Sequence, residues 1–218
     1  MYRLVPALRC LFTKHTTSLR DSRTSACNLY ALRRTEVLKA DLRILGTGNH
    51  QDDAMVKHIT RGELWRMRVE LDPTALRDSV WPAQIRVRAF RTEDAEPLHH
   101  LLEHGYRRGG GSIEAFEAWL PAVTGDEEFD PELCFLADSD DGLAGAALCW
   151  TSAFVKDIVV HESWRGRGLG EALLRHVFAT FAARGAPAVE LKVESTNSNA
   201  VRLYERVGMR LIERLPMS

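Results

Sequence analysis

Several things are scarce or missing in this sequence, and each absence removes a class of protein. No apolar run approaches the roughly 20 residues that a membrane-spanning helix needs. The longest lies around Leu143 to Trp150. Cysteine is sparse. Cys10, Cys27, Cys134 and Cys149 form no C-x-x-C pair, which leaves neither a disulfide framework nor thiolate zinc spacing. Neither sign of charge dominates: the formal net charge is −1, which argues against a general nucleic-acid binder. Two phosphate-binding glycine motifs are also missing. A dinucleotide G-x-G-x-x-G starting at Gly166 would need glycine where Glu171 stands, and one starting at Gly168 would need glycine or alanine where Leu173 stands. No Walker A run occurs.

What is present is a β-rich run, Phe154 to Val160, that meets a glycine-rich turn and passes straight into an amphipathic stretch. Within the run, Ile158 and Val160 share one face and Val159 takes the other. The turn reads His161-Glu162-Ser163-Trp164-Arg165-Gly166-Arg167-Gly168-Leu169-Gly170. After it, Leu169, Leu173, Val177 and Phe181 recur every fourth residue, flanked by Ala172 and Phe178, and Gly185 ends the pattern. The first turn of a helix carries amide hydrogens without intrahelical partners, at the positive end of the helix dipole. Glycines there let a ligand approach the backbone, so the turn is an anion site of the kind that takes a pyrophosphate. A strand follows, with Val189, Leu191 and Val193 alternating with Glu190, Lys192 and Glu194. A short helix comes next, capped by Asn197, striped by Ala200, Leu203, Tyr204 and Val207, and ended by Gly208.

Arg165-x-x-Gly168-x-Gly170 resembles the [QR]-x-x-G-x-[GA] acetyl-CoA signature of the GNAT N-acetyltransferase superfamily. The run from Asn197 through Ala200, Leu203, Tyr204 and Gly208 to Met209 resembles that superfamily's N-x-x-A-x-x-L-Y-x-x-x-G-F segment. Glu162 stands where proline is frequent and Met209 where phenylalanine is frequent. The resemblance covers residues 84–218 and implies an α/β acyltransferase fold, a mixed and mostly antiparallel sheet flanked by helices. The periodicities agree. A strand from Gln84 to Phe90 precedes a helix from Thr92, as cap, to about His104, with Ala95, Leu98, Leu101 and Leu102 facing inward. A second helix runs from Ser112 to about Leu120. Strands at about 132–138 and 143–151 complete the order β, α, α, β, β, β, α, β, α, β.

Residues 1–80, with a half-buried strand at 63–71, are read as a small β-rich accessory region that either extends the main sheet or forms a separate lobe. Pro73 and Pro82 bracket the passage between the two parts. The cysteine usage suits a reducing cytoplasm. The first 20 residues are basic and lack acids, so organellar import is the alternative.

The resemblance implies acetyl-CoA as cosubstrate, no metal, and acetyl transfer to a primary amine by direct attack in a ternary complex. The acceptor is a small-molecule or peptide amine; nucleic acid and membrane are not expected partners, and a homodimer is allowed. By the same resemblance, the backbones of Ile158 and Val160 hold the pantetheine arm and thioester carbonyl. Those of Arg165, Gly166, Arg167, Gly168 and Gly170 hold the pyrophosphate, and Asn197 touches the cofactor. Tyr204 protonates the departing thiolate. The base is expected to be Glu194, then Asp157, then His161. The competing reading is a catalytically weak CoA-binding sensor or interaction module. His100-Leu101-Leu102-Glu103-His104 spells an inverted zinc-protease motif but falls on the first helix of the acetyltransferase order.

Overall fold

The computed structural model describes residues 62–109 and 112–217. The accessory region's first 61 residues, with Cys10 and Cys27, lie outside the described residues. The described elements are β1 (Glu63–Glu70), β2 (Arg86–Ala89), α1 (Ala95–Gly109), α2 (Phe116–Thr124), β3 (Phe129–Ser139), β4 (Gly142–Trp150), β5 (Phe154–Val160), α3 (Leu169–Ala183), β6 (Ala188–Glu194), α4 (Ser198–Arg206) and β7 (Arg210–Pro216). They build a sheet of order β2-β3-β4-β5-β6-β1-β7. Every neighbouring pair is antiparallel except β5 and β6, which α3 joins as a parallel crossover.

The alternation in each strand decides which core it feeds. On one face, Leu169, Leu173, Val177, Phe178 and Phe181 of α3 and Val201 and Tyr204 of α4 pack on Phe135, Ala147, Val155, Leu191 and Val193. On the other, Leu98, Leu101 and Leu102 of α1 and Trp119 and Val123 of α2 pack on Cys134, Leu136, Leu148 and Val159. Fully burying one such Leu or Phe contributes about 1.5–3 kcal/mol. The fourfold spacing of the α3 residues is therefore enough to dock that helix. Cys134 and Cys149 are both buried free thiols.

The strand expected at 63–71 is an interior strand of the sheet, between β6 and β7. Of the accessory region read at 1–80, this strand and the passage after it are the described part, and the strand belongs to the main sheet. Its apolar Met67 faces the α3 core, and Arg66 and Arg68 stand on the opposite face. There Glu190 accepts from both, and Glu213 and Glu70 complete the ion pairs. From β1 the chain returns to the far edge of the sheet through residues 71–85. Trp81 on this passage stacks edge-on against His176 of α3, with ring centroids 5.7 Å apart.

Several local expectations change; α1, for one, runs beyond His104 to Gly109. Thr92 does not cap α1: Thr92–Asp94 form a single 3-10 turn ahead of the helix, and the Asp94 carboxylate accepts the Arg91 amide at 2.8 Å. Arg88 holds that same carboxylate with two hydrogen bonds, at 2.6 and 2.8 Å, and reaches Asp138 on β3. The second helix starts at Phe116 rather than Ser112, because the segment before it is extended and the His99 ring is bound to the Glu114 carbonyl at 2.8 Å. It also runs through Pro121 to Thr124.

Candidate active site

β5 is paired to β4 along its length but to β6 only at Phe154 and Val155. The two parallel strands then part. The cause is visible in the β4–β5 ladder, whose register slips between Leu148–Asp157 and Cys149–Val155, leaving Lys156 as an extra residue on β5. Beyond this bulge the strand bends away, as bulged strands do.

Which backbone groups face the gap follows from the register. His161 N–H donates to Ala144 O at 2.8 Å, and those residues are directly opposite. In an antiparallel ladder, alternate residues direct both backbone groups to the partner. Asp157, Val159 and His161 therefore bond toward β4, and Ile158 and Val160 turn their N–H and C=O toward the gap. The Val160 carbonyl accepts Arg165 Nε at 3.1 Å.

The glycine turn closes the same end of the gap. Gly166 and Gly168 have φ of +73° and +83°, a conformation that side chains rarely adopt, and a Cβ built on either would meet nothing within 4 Å. The amides of Gly166, Arg167 and Gly168 have no hydrogen-bond partner among the described residues. The mouth of α3 is thus open, lined by amide hydrogens, and flanked by two exposed guanidiniums, Arg165 and Arg167, the latter over the Trp164 ring at 5.1 Å. The one acid in the first turn of α3, Glu171, is drawn back by Arg175 at 2.6 Å. This arrangement fits a pyrophosphate. Gly170 serves a different purpose: its Cβ would lie 3.0 Å from Leu203 Cδ2, so its bare backbone lets α4 approach α3. Asn197 caps α4 by accepting the Ala200 amide at 3.2 Å.

The structure brings Tyr204, Asp157 and Glu194 to the elements around the gap. Tyr204 is buried on α4, in the α3 core, and its hydroxyl makes no hydrogen bond among the described residues. Burial pushes its phenol well above the usual range, and the Asp157 charge adds to the push. Asp157 is buried toward α1. The Tyr106 hydroxyl donates to its Oδ1, and Lys156 Nζ lies 2.7 Å from its Oδ2. Glu194, half-buried at the end of β6, alternates with Val193 and so stands on the α1 face; it makes no ion pair among the described residues. His161 is exposed, with Nδ1 2.7 Å from Ser163 Oγ. Arg202 is exposed and bound to Asn199. His104 Nδ1 bonds the His100 carbonyl, and no cluster of metal-ligating side chains occurs among the described residues. A cavity of about 330 Å³ between Ser152, Pro187 and Glu190 opens at the other end of β5, away from these groups.

Residues 95–209 match the model of the acetyltransferase (GNAT) family. The chain belongs to the GNAT acetyltransferase family. Similar proteins include the mycothiol acetyltransferase of Saccharopolyspora erythraea, 32% identical over 77% of this chain and 58% of that protein. That of Beutenbergia cavernae is 32% identical over 67% of this chain and 54% of its own length. The chain thus spans a little over half the length of these curated relatives. Among solved structures, a GCN5-related N-acetyltransferase from Sphaerobacter thermophilus is 31% identical, with a TM-score of 0.61 over 70% of this chain and 49% of that one. The GNAT sheet, mixed and mostly antiparallel with helices on both faces, is the one expected from the two sequence motifs. No described helix is long and apolar enough to cross a membrane.

Tyr106 and Lys156, which hold the Asp157 carboxylate, and Gly105, whose Cβ would lie 2.4 Å from Val159 Cγ2, were not singled out by the sequence. A glycine inside an amphipathic helix was the available signal for Gly105 and the adjoining Tyr106, since it lowers helix stability by about 1 kcal/mol and invites a packing reason. Lys156 had none, because neighbours in a regular strand point to opposite faces.

Proposed function

We propose that this chain transfers an acetyl group from acetyl-CoA to a primary amine by direct attack in a ternary complex. The observation that carries this reading is the open, glycine-lined mouth of α3 at the end of a gap into which Ile158 and Val160 turn their backbone groups. The amides from Gly166 to Gly170 hold the pyrophosphate, assisted by Arg165 and Arg167. The pantetheine arm pairs with Ile158 and Val160 as a short extra strand. A backbone N–H directed at the thioester oxygen stabilises the oxyanion of the tetrahedral intermediate.

The attacking amine must be uncharged, whereas a free alkylamine near pKa 10 is mostly protonated at neutral pH. Glu194 takes that proton. It stands on the α1 face with no cation bound to it among the described residues, whereas both Asp157 oxygens are already engaged and His161 is turned to Ser163. The amine nitrogen then bonds to the thioester carbon, the C–S bond breaks, and Tyr204 supplies the proton to the departing sulfur. Holding both substrates in one complex contributes the proximity term.

The test is turnover with acetyl-CoA across amine classes: polyamines, aminoglycosides, amino acids, peptide N-termini, lysine peptides and mycothiol-related amines. General acid catalysis is worth about 100-fold or more. Tyr204→Phe is therefore expected to lower kcat by about that factor with little change in acetyl-CoA affinity. Equal turnover in both proteins removes Tyr204 from the mechanism. Tight CoA binding with no transfer to any amine establishes the sensor reading instead.

A further inference from the structure

Most charges of β5 and β6 on the α1 face of the sheet cancel against a neighbour. On β5, Lys156 Nζ lies 2.7 Å from Asp157 Oδ2. On β6, Glu190 accepts Arg66 Nε at 2.7 Å and Arg68 Nη1 at 3.1 Å. Two charges are left over, Lys192 and Glu194. Both are half-buried and alternate with Leu191 and Val193 of the α3 core, and neither makes a hydrogen bond or ion pair among the described residues. Two positions apart on one strand face, they stand about 6–7 Å from each other along β6.

Their cross-strand neighbours differ. Glu194 is opposite Leu64 on β1, whereas Lys192 is directly opposite Arg66. Like charges so placed destabilise a sheet. Arg66 is turned to Glu190 and Glu213, so among the described residues no anion is bound to Lys192. The place is also reachable. Helices α1 and α2 pack on β3, β4 and β5, and no residue of β6, β1 or β7 joins their core. The opposite face is closed by α3 and α4. Lys192 is the first residue of β6 beyond the last pair that joins it to β5, Val155 and Leu191. A molecule entering the gap from the uncovered face meets Lys192 where the strands part and Glu194 further along.

We infer that Lys192 is a specificity-determining residue that binds a carboxylate carried by the acceptor, beside the Glu194 that receives its amine, so that the acceptor class is a free amino acid. The inference rests on the acetyl-transfer reading above and narrows its amine to one class. A cation and an anion held apart at this spacing complement a molecule that bears both an ammonium and a carboxylate, and the flexible four-carbon stem of lysine lets its ammonium close on a carboxylate near the amine. Lys192 and Arg66 together repel polyamines and aminoglycosides, whose further ammonium groups would fall against them. A peptide N-terminus offers a neutral amide where the carboxylate should be.

The test is acetyl transfer to a panel of amino acids, each compared with its own carboxamide, which keeps the side chain and removes the anion. A hydrogen bond to a charged group is worth about tenfold or more. The parent protein is therefore expected to favour acid over amide at least about tenfold in kcat/KM, chiefly through KM. Lys192→Met should bring that ratio to about one, Lys192→Arg should keep most of it, and Lys192→Glu should invert it. Urea midpoints report folding of each variant, and the parent's own ratio needs no variant. Transfer with a ratio near one for every pair, or a preference that survives Lys192→Met, overturns the inference while leaving the acetyl-transfer reading in place. If no amine is acetylated, that reading fails instead, and calorimetric titration of the CoA-loaded protein with the same acids and amides decides the inference. Tighter binding of the acid that is lost in Lys192→Met supports it; equal binding of the two, or none, overturns it.

Discussion

Replacing Gly105 by alanine gives a prediction whose sign is opposite to that of an ordinary helix. At an unconstrained helical site, glycine to alanine stabilises by about 1 kcal/mol, because alanine loses less chain entropy. Here the new methyl would lie 2.4 Å from Val159 Cγ2 and 3.6 Å from its Cβ. Carbon atoms pack at about 3.5–4.0 Å, so α1 or the Val159 side chain must give by more than 1 Å. Val159 is 8% exposed and belongs to the core that α1 covers, which leaves it little room. Forcing a methyl into such a core costs about 1–3 kcal/mol, and a required shift of more than 1 Å puts this site at the upper end, about 2–3 kcal/mol, which offsets the propensity gain and leaves a net loss of about 1–2 kcal/mol. In a domain of this size that is a fall in Tm of about 2–8 °C. Urea denaturation of Gly105→Ala, Val159→Ala and the double variant is the assay. The clash predicts a favourable coupling of about 1–2 kcal/mol in the double variant, since removing the Val159 methyls makes room for the new one. A Gly105→Ala protein as stable as the parent, or more so, refutes the packing argument.

Two further predictions concern stability. Arg88→Met leaves the Asp94 carboxylate buried with its two charged hydrogen bonds removed, and should cost about 2 kcal/mol by urea titration, less than for a fully buried pair because Arg88 is itself part exposed. At high pH the buried phenol and thiols set the sign. Burial raises Tyr204 and Cys149 well above their usual values and Cys134 to about 12. The unfolded chain therefore loses these protons first. Their contribution is fully present below the ordinary thiol pKa and is lost as pH climbs from there through the folded values. The urea midpoint should fall steadily above about pH 9, and less steeply in Cys134→Ala. A midpoint flat to pH 11 would contradict it.

The parts of the fold that rest on repeating local patterns were legible in the residues. Leu169, Leu173, Val177 and Phe181 define the buried face of α3, and Val189, Leu191 and Val193 that of β6, because burial on one face imposes its own period on the sequence. Asn197 as cap and Gly166 and Gly168 as an open turn were readable for the same reason, a local conformation needing a particular residue. The start of α2 was not, because His99, far earlier in the chain, binds the Glu114 carbonyl in the extended segment ahead of the helix. Nor was the place of β1 in the sheet. Its alternation says half-buried, and only long-range pairing says between β6 and β7. The Tyr106–Asp157–Lys156 cluster depends on one slip of register at Lys156, which no pattern of residue types announces.

The account rests most heavily on the amide hydrogens at the mouth of α3. Calorimetric titration of the unaltered protein with CoA and, separately, with pantetheine, which lacks the pyrophosphate, tests them without any mutation. The account predicts that CoA binds at least about tenfold more tightly, the worth of one charge-assisted hydrogen bond or more. Equal affinities for the two ligands, or no heat with CoA, would contradict it.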